Sequence, residues 1–259
     1  MNYLLFIAIA ILTIAFSTFF GYIIPMMCKE YKFKDYWKKC PQCDKNKKKH
    51  EIYNGTNFWK YGGYCAKHSP KISKNIWFTI LFTVISLMPF VVEFINTDNF
   101  FSVNSISAYI VSMMLVYAAA TDIKGLVIPD ATHIVVFLVG LFNMFYTAIT
   151  TSDNSVYALH LIGLICVSLP FFLICLLGKG GFGDVKFFAA LGILLGWKKL
   201  LLVFLLAVVF GLIYIVFKKI TADDIKWKTK VPFGPFISLG TIVALNFGDL
   251  ITEAYMRLF

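Results

Sequence analysis

The sequence predicts an all-α fold, a polytopic transmembrane helical bundle of about eight spans. Two features of composition and one of charge placement lead there. Hydrophobic residues make up 59% of the 259 and charged residues only 15%, against about 45–50% and about 25% in soluble domains. The apolar residues fall in runs long enough to need lipid around them. The net charge of +10 is also concentrated in one loop. Together these features exclude a disordered chain, a disulfide scaffold and a water-soluble globule.

The first apolar run covers residues 3–27. It lacks a basic leading region and is longer than the apolar stretch of a secretory signal, so it reads as a retained span. The loop of residues 28–75 follows, with 13 Lys against Glu30, Asp35, Asp44 and Glu51, a net of +9. Further spans are expected over residues 76–95, 106–121, 132–149 and 157–177. A glycine-rich stretch at 178–183 leads into a short sixth helix ending near Trp197. The seventh and eighth spans are expected over residues 200–217 and 231–250. Seven spans with a re-entrant sixth segment is the alternative count. The organisation is therefore a first span (1–27), a basic cytoplasmic loop (28–75) and a membrane-embedded domain (76–259).

Lys and Arg placement sets the orientation. With the large loop in the cytoplasm, connectors 96–104 and 150–156 fall outside, and neither carries a basic residue. Stretches 122–131, 178–186 and 218–230 fall inside, and all carry Lys. Lys198 and Lys199 go against the pattern, and a short sixth span or snorkelling stems accommodate them. A basic surplus can mark nucleic-acid binding. Beside a span it more often marks contact with anionic lipid headgroups, so membrane lipids are the expected partner and nucleic acid is not.

The six cysteines form two groups. Cys166 and Cys175 lie in an apolar run and read as buried thiols. Cys28, Cys40, Cys43 and Cys65 lie in or beside the basic loop, where a reducing cytoplasm disfavours disulfides. Cys40-Pro-Gln-Cys43 and Cys65-Ala-Lys-His68 are two ligand pairs with two-residue gaps, a spacing that suits a tetrahedral structural zinc in a cytoplasmic zinc-binding loop. Pro41, Gly62 and Gly63 supply the turns. Free thiols with a solvated His68 is the competing reading, and Cys28 is a substitute ligand at the membrane edge. His50, His133 and His160 show no ligand spacing.

Two carboxylates stand where a membrane helix tolerates charge poorly. Asp122 follows the apolar LVYAAAT at the inner end of span three. Asp184 ends GKGGFGD and opens span six. Both fall at one membrane face. They read as helix caps, as an ion or proton path, or as a catalytic pair. Asp130, after Pro129, fits an N-cap better than either. Gly180, Gly181 and Gly183 clear side chains beside Asp184, which permits close approach by a helix or a peptide backbone. Two carboxylates held within a few ångströms share a proton. The ionised one can activate water and the protonated one can polarise a peptide carbonyl. Lys124 and Lys186 each follow an Asp by two residues and read as interfacial anchors.

At these residues the chain resembles a known family. DIKGLVIPD at 122–130 resembles the motif around the first catalytic Asp of prepilin peptidases, the GxGD-type membrane aspartyl proteases. GFGDVK at 181–186 resembles their GxGDxK motif, and VPFGPF at 231–236 their late motif before the last span. Presenilin-like intramembrane proteases share GxGD alone, so the three motifs together carry the likeness.

The resemblance implies an aspartic endopeptidase of the bacterial cytoplasmic (inner) membrane. It would cut the basic leader from type IV prepilins or pseudopilins, with Asp122 and Asp184 as the catalytic pair and Asp130 structural. It also implies N-methylation of the new N-terminus from S-adenosylmethionine. The loop departs from the family here: its second pair is Cys-x-x-His, and no glycine-rich fingerprint for that donor stands out. A proton- or cation-coupled transporter using the two Asp residues is the alternative from another class, and a zinc-loop adaptor without activity is a third.

Overall fold

A computed structural model of the chain describes residues 2–27, 43, 72–177, 181–221 and 231–257. Every regular element among the described residues is an α-helix: α1 Asn2–Met27, α2 Ile72–Thr97, α3 Val103–Gly125, α4 Asp130–Thr151, α5 Ser155–Cys166, α6 Ser168–Leu176, α7 Phe182–Thr221 and α8 Gly234–Met256. Seven stretches are long and apolar enough to cross a membrane, with α5 and α6 together forming one of them. The chain is thus a multi-pass helical membrane protein. The helices overrun the expected spans by a few residues at most ends, because the helix continues past its apolar run into the polar interface.

Local chemistry explains the boundaries. Ser102 and Ser105 form a reciprocal cap at the start of α3: the Ser102 hydroxyl accepts from the Ser105 N–H at 3.0 Å, and the Ser105 hydroxyl accepts from the Ser102 N–H at 2.8 Å. Two of the orphan donors of the first turn are satisfied in this way. The other end of α3 closes on Leu126, whose left-handed backbone (φ 53°) lets its N–H reach the Asp122 carbonyl at 2.9 Å. The fifth span splits at Val167. Pro170 accounts for the break, since it has no N–H for the Cys166 carbonyl four residues back and its ring crowds that group. Before α5, Asp153 accepts from both the N–H and the hydroxyl of Ser155 at 2.8 Å. These bonds hold its carboxyl below the usual carboxylate range.

The count of spans turns on α7. Its 40 residues would reach about 60 Å if straight, twice the hydrocarbon thickness. Gly196 breaks it with φ 70° and ψ 171°, a backbone that side-chain-bearing residues rarely adopt. The second limb then runs antiparallel to α8. Lys199 pairs with Asp249 at 2.8 Å near the end of α8, while Gly211 faces Phe233 and Phe236 at its start. The first limb, residues 182–195, is only about 20 Å long. It turns back before reaching the far interface, and Lys199 meets a carboxylate there. This pairing accounts for Lys199 in the charge-pattern exception.

The core lies around α7. Phe187, Phe188, Leu191, Leu200, Val203 and Ala207 are buried in one cluster with Val111, Leu115 and Ala118 of α3 and Ile237 and Ala244 of α8. Alternation of the helices brings the C-terminal ends of α1, α3 and α6 to the same face as the N-terminal ends of α2, α4, α7 and α8. Ring contacts across the helices agree. Phe20 of α1, Phe82 of α2 and Tyr117 of α3 meet near that face, and Tyr3 and Phe94 meet near the other. Of the two cysteines read as buried, Cys175 is buried and Cys166 is half-buried, with its thiol directed at the Gly163 carbonyl.

Candidate active site

Asp122 and Asp184 stand on different helices at the same end of the bundle. Asp122 is on the last turn of α3, 6% exposed. Asp184 is on the first turn of α7, half-buried. The two carboxylates lie within electrostatic reach of each other. A carboxylate on the first turn of a helix faces unpaired N–H groups, which favours that position. The Asp184 N–H itself bonds the Gly181 carbonyl at 3.1 Å.

Three segments distant in sequence build this arrangement. The four residues from Leu126 to Pro129 turn the chain from α3 into α4 and bury Ile128 in the core cluster that also holds Phe187 of α7. This packing sets the Asp122 turn beside the start of α7. The third segment is the start of α8. The Gly234 N–H donates to Asp122 Oδ2 at 2.7 Å, a buried hydrogen bond. Phe233, just before it, packs against Phe171 and Phe188. The aromatic cluster therefore holds the donor, and the donor holds the carboxylate. A methyl group on Gly234 would lie 2.9 Å from Asp122 Oδ2, so glycine is the residue that fits here.

Among the described residues, a methyl group at Gly181 would meet nothing closer than Asp184 Oδ2 at 3.5 Å, and one at Gly183 nothing closer than Ile128 Cβ at 3.9 Å, so neither glycine is pressed by a described helix.

Other expectations are revised. Asp130 does not cap α4 as an N-cap side chain. Pro129 occupies the N-cap position, no side-chain cap bond forms, and Asp130 is the first helical residue. Its carboxylate instead pairs with Lys186 at 2.8 Å across exposed surface. Lys186 is thereby committed to Asp130. Of the proposed zinc ligands, Cys43 sits at a turn, while Cys40, Cys65 and His68 lie outside the described residues, as do Cys28 and Gly180. Among the described residues no three His, Cys, Asp or Glu side chains group as a metal site.

Sequence reasoning quoted the 231–236 motif without giving it a task. Its task is the Gly234 bond, and the only local sign is a glycine between Phe233 and Pro235 at a helix start. His133 was also passed over. It is buried one turn into α4, edge-on to Phe187, and neither ring nitrogen has a hydrogen-bond partner among the described residues.

Residues 109–216 match the type IV leader peptidase family. A prepilin leader peptidase/N-methyltransferase of Aeromonas salmonicida is 30% identical over 155 residues, 59% of this chain and 53% of that protein. The protein of the same name in Bacillus subtilis is 30% identical over 151 residues, covering 56% and 57%. That of Pseudomonas aeruginosa is 25% identical over 221 residues, covering 84% and 74%. The chain thus spans little more than half the length of the first two. No solved structure matches. The stretch that matches the type IV leader peptidase family, residues 109–216, carries Asp122, Asp184 and the turn between α3 and α4.

Proposed function

We propose that this chain is a membrane-embedded aspartic endopeptidase of the bacterial inner membrane that removes the basic leader from type IV prepilins or pseudopilins. The observation that supports it best is that Asp122 and Asp184, on different helices, stand at one end of the bundle within electrostatic reach of each other. The family match of residues 109–216 and the names of the relatives point to the same substrates.

Two carboxylates suffice for the reaction. The ionised one takes a proton from water, and the resulting oxygen adds to the scissile carbonyl carbon. The protonated one gives its hydrogen to the carbonyl oxygen. Collapse of the tetrahedral species breaks the C–N bond, and a proton from the pair goes to the departing amine. The Gly234 N–H fixes the Asp122 rotamer through these steps, and burial of Asp122 leaves Asp184 as the more accessible partner.

The test is co-expression with a prepilin. Asp122→Asn and Asp184→Asn should each abolish leader removal while the protein still inserts, and retained cleavage in either variant overturns the assignment. Mass spectrometry of the product, with and without S-adenosylmethionine, reports a methyl group on the new N-terminal amine in the same experiment. The relatives' names carry that second activity. In the loop, Cys40, Cys43, Cys65 and His68 are proposed as the ligands of a structural zinc, on the strength of their spacing.

A further inference from the structure

A polar cavity lies at the end of the bundle opposite Asp122 and Asp184. It exists because the first limb of α7 is short. That limb turns back at Gly196 while α2, α3, α4, α5 and α8 continue past it, leaving a space of about 370 Å³ whose lining includes Leu194, Leu195 and Lys199 at the turn. Glu93, Asn143, His160, Asn246 and Asp249 also line it. Polar side chains at membrane depth are costly, and they mark wet or ligand-holding interiors.

The hydrogen bonds already made here decide what the cavity offers. His160 Nδ1 lies 2.6 Å from the Ile193 carbonyl. A carbonyl only accepts, so Nδ1 carries the hydrogen and Nε2 of the neutral ring remains an acceptor. Asn246 Nδ2 donates to the Ile242 carbonyl at 2.8 Å, which leaves Oδ1 as an acceptor. The Ser107 hydroxyl donates to Asn143 Oδ1 at 2.8 Å, leaving the Nδ2 hydrogens. Lys199 and Asp249 neutralise each other at 2.8 Å. Glu93 has no ion-pair partner among the described residues. The balance is a net negative charge at Glu93 with acceptors on Glu93, His160 and Asn246, while Asn96, Asn104 and Asn143 add neutral amides that can donate or accept. A primary ammonium, with a positive charge and three N–H donors, complements it.

We propose that this cavity binds a primary ammonium group, as presented by the headgroup of an aminophospholipid in the leaflet opposite the carboxylate pair. The cavity's lining reaches Asn96 and Asn104, at the end of α2 and the start of α3, where the apolar spans end. Lys199 at its edge is the nearest cation for the phosphate that follows the ammonium in such a lipid. The catalytic reading does not use this cavity, and the proposal does not depend on that reading.

The test uses the full purified chain, stripped of lipid in detergent and then supplied with phosphatidylethanolamine, phosphatidylcholine or free ethanolamine. Lipid retention is read by native mass spectrometry and thermal unfolding is followed alongside. Phosphatidylcholine shares the phosphate and the charge but has no N–H to donate, so phosphatidylethanolamine should be retained about tenfold better if charged hydrogen bonds select it. Glu93→Gln should erase most of that preference. Asn246→Leu should reduce it, and it serves as the second variant should Glu93→Gln not fold. Protection by free ethanolamine equal to that by the lipid assigns the same ammonium site to a soluble amine. Equal retention of the two lipids with no protection by ethanolamine overturns the proposal. So does a preference that Glu93→Gln and Asn246→Leu both leave intact.

Discussion

Gly234 and Asp122 lie 112 residues apart in sequence, yet the Gly234 N–H donates to Asp122 Oδ2 over 2.7 Å. This bond joins the last helix to the turn that carries the proposed catalytic carboxylate, and it leaves no room for a side chain. In Gly234→Ala the new methyl group would stand 2.9 Å from Oδ2 and 3.1 Å from Asp122 Cβ, so the carboxylate must swing away. A displacement of about 1 Å in a catalytic group can cost roughly a hundredfold in rate. Leader cleavage should fall by that order in Gly234→Ala, while membrane insertion and the helical circular dichroism persist. An unimpaired cleavage rate would show that the Gly234 bond does not position Asp122.

Much of this site was legible because its two carboxylates interrupt apolar runs, where a charge is conspicuous. The short sixth span was legible too, since a glycine and two lysines end its apolar run and the α7 break falls at that glycine. The Asp122–Gly234 bond was not, because a backbone donor leaves no signature in residue type and its acceptor is remote in the chain. The role of Asp130 was misread for a related reason. A Pro-Asp pair before an apolar run looks like a cap, but Lys186, 56 residues away, takes the carboxylate.

That exposed pair yields a contrast with the buried site. Asp130 and Lys186 are 72% and 58% exposed at their side chains, so water screens the bridge and its contribution is small. Asp130→Asn should leave cleavage close to the unmodified rate, whereas Asp184→Asn, two residues before Lys186 on α7, should abolish it. Parallel cleavage assays on the two variants check this. Loss of activity in Asp130→Asn would move that residue into the chemistry.

His133 points to a stability effect separate from catalysis. Both ring nitrogens are buried without a hydrogen-bond partner among the described residues, and leaving such groups unpaired costs about 1–3 kcal/mol. The ring already packs edge-on to Phe187, with centroids 5.7 Å apart. His133→Phe keeps an aromatic ring in that contact and removes both unpaired atoms, so it should raise the unfolding temperature of the detergent-solubilised protein. His133→Leu should do the same without ring overlap. If both variants melt lower than the parent, the imidazole has a polar task in the folded protein, and a pH series of cleavage rates would then locate it.

The cysteine loop gives a prediction independent of the helices. Its two proposed ligand pairs, Cys40 with Cys43 and Cys65 with His68, are separated by 21 residues that include five lysines. Metal binding by both pairs would close this stretch and couple its order to the metal. The purified chain should carry roughly one zinc, held by three thiolates and one imidazole. Cys43→Ser and His68→Asn should each release that metal and open the loop to proteolysis. Leader cleavage should persist in both, because Asp122 and Asp184 belong to helices that the loop does not build. Plasma mass spectrometry gives the metal content, and limited digestion gives the state of the loop. Zinc retained at the parental level in both variants would remove the site from these residues, and loss of cleavage together with the metal would make the loop part of substrate capture.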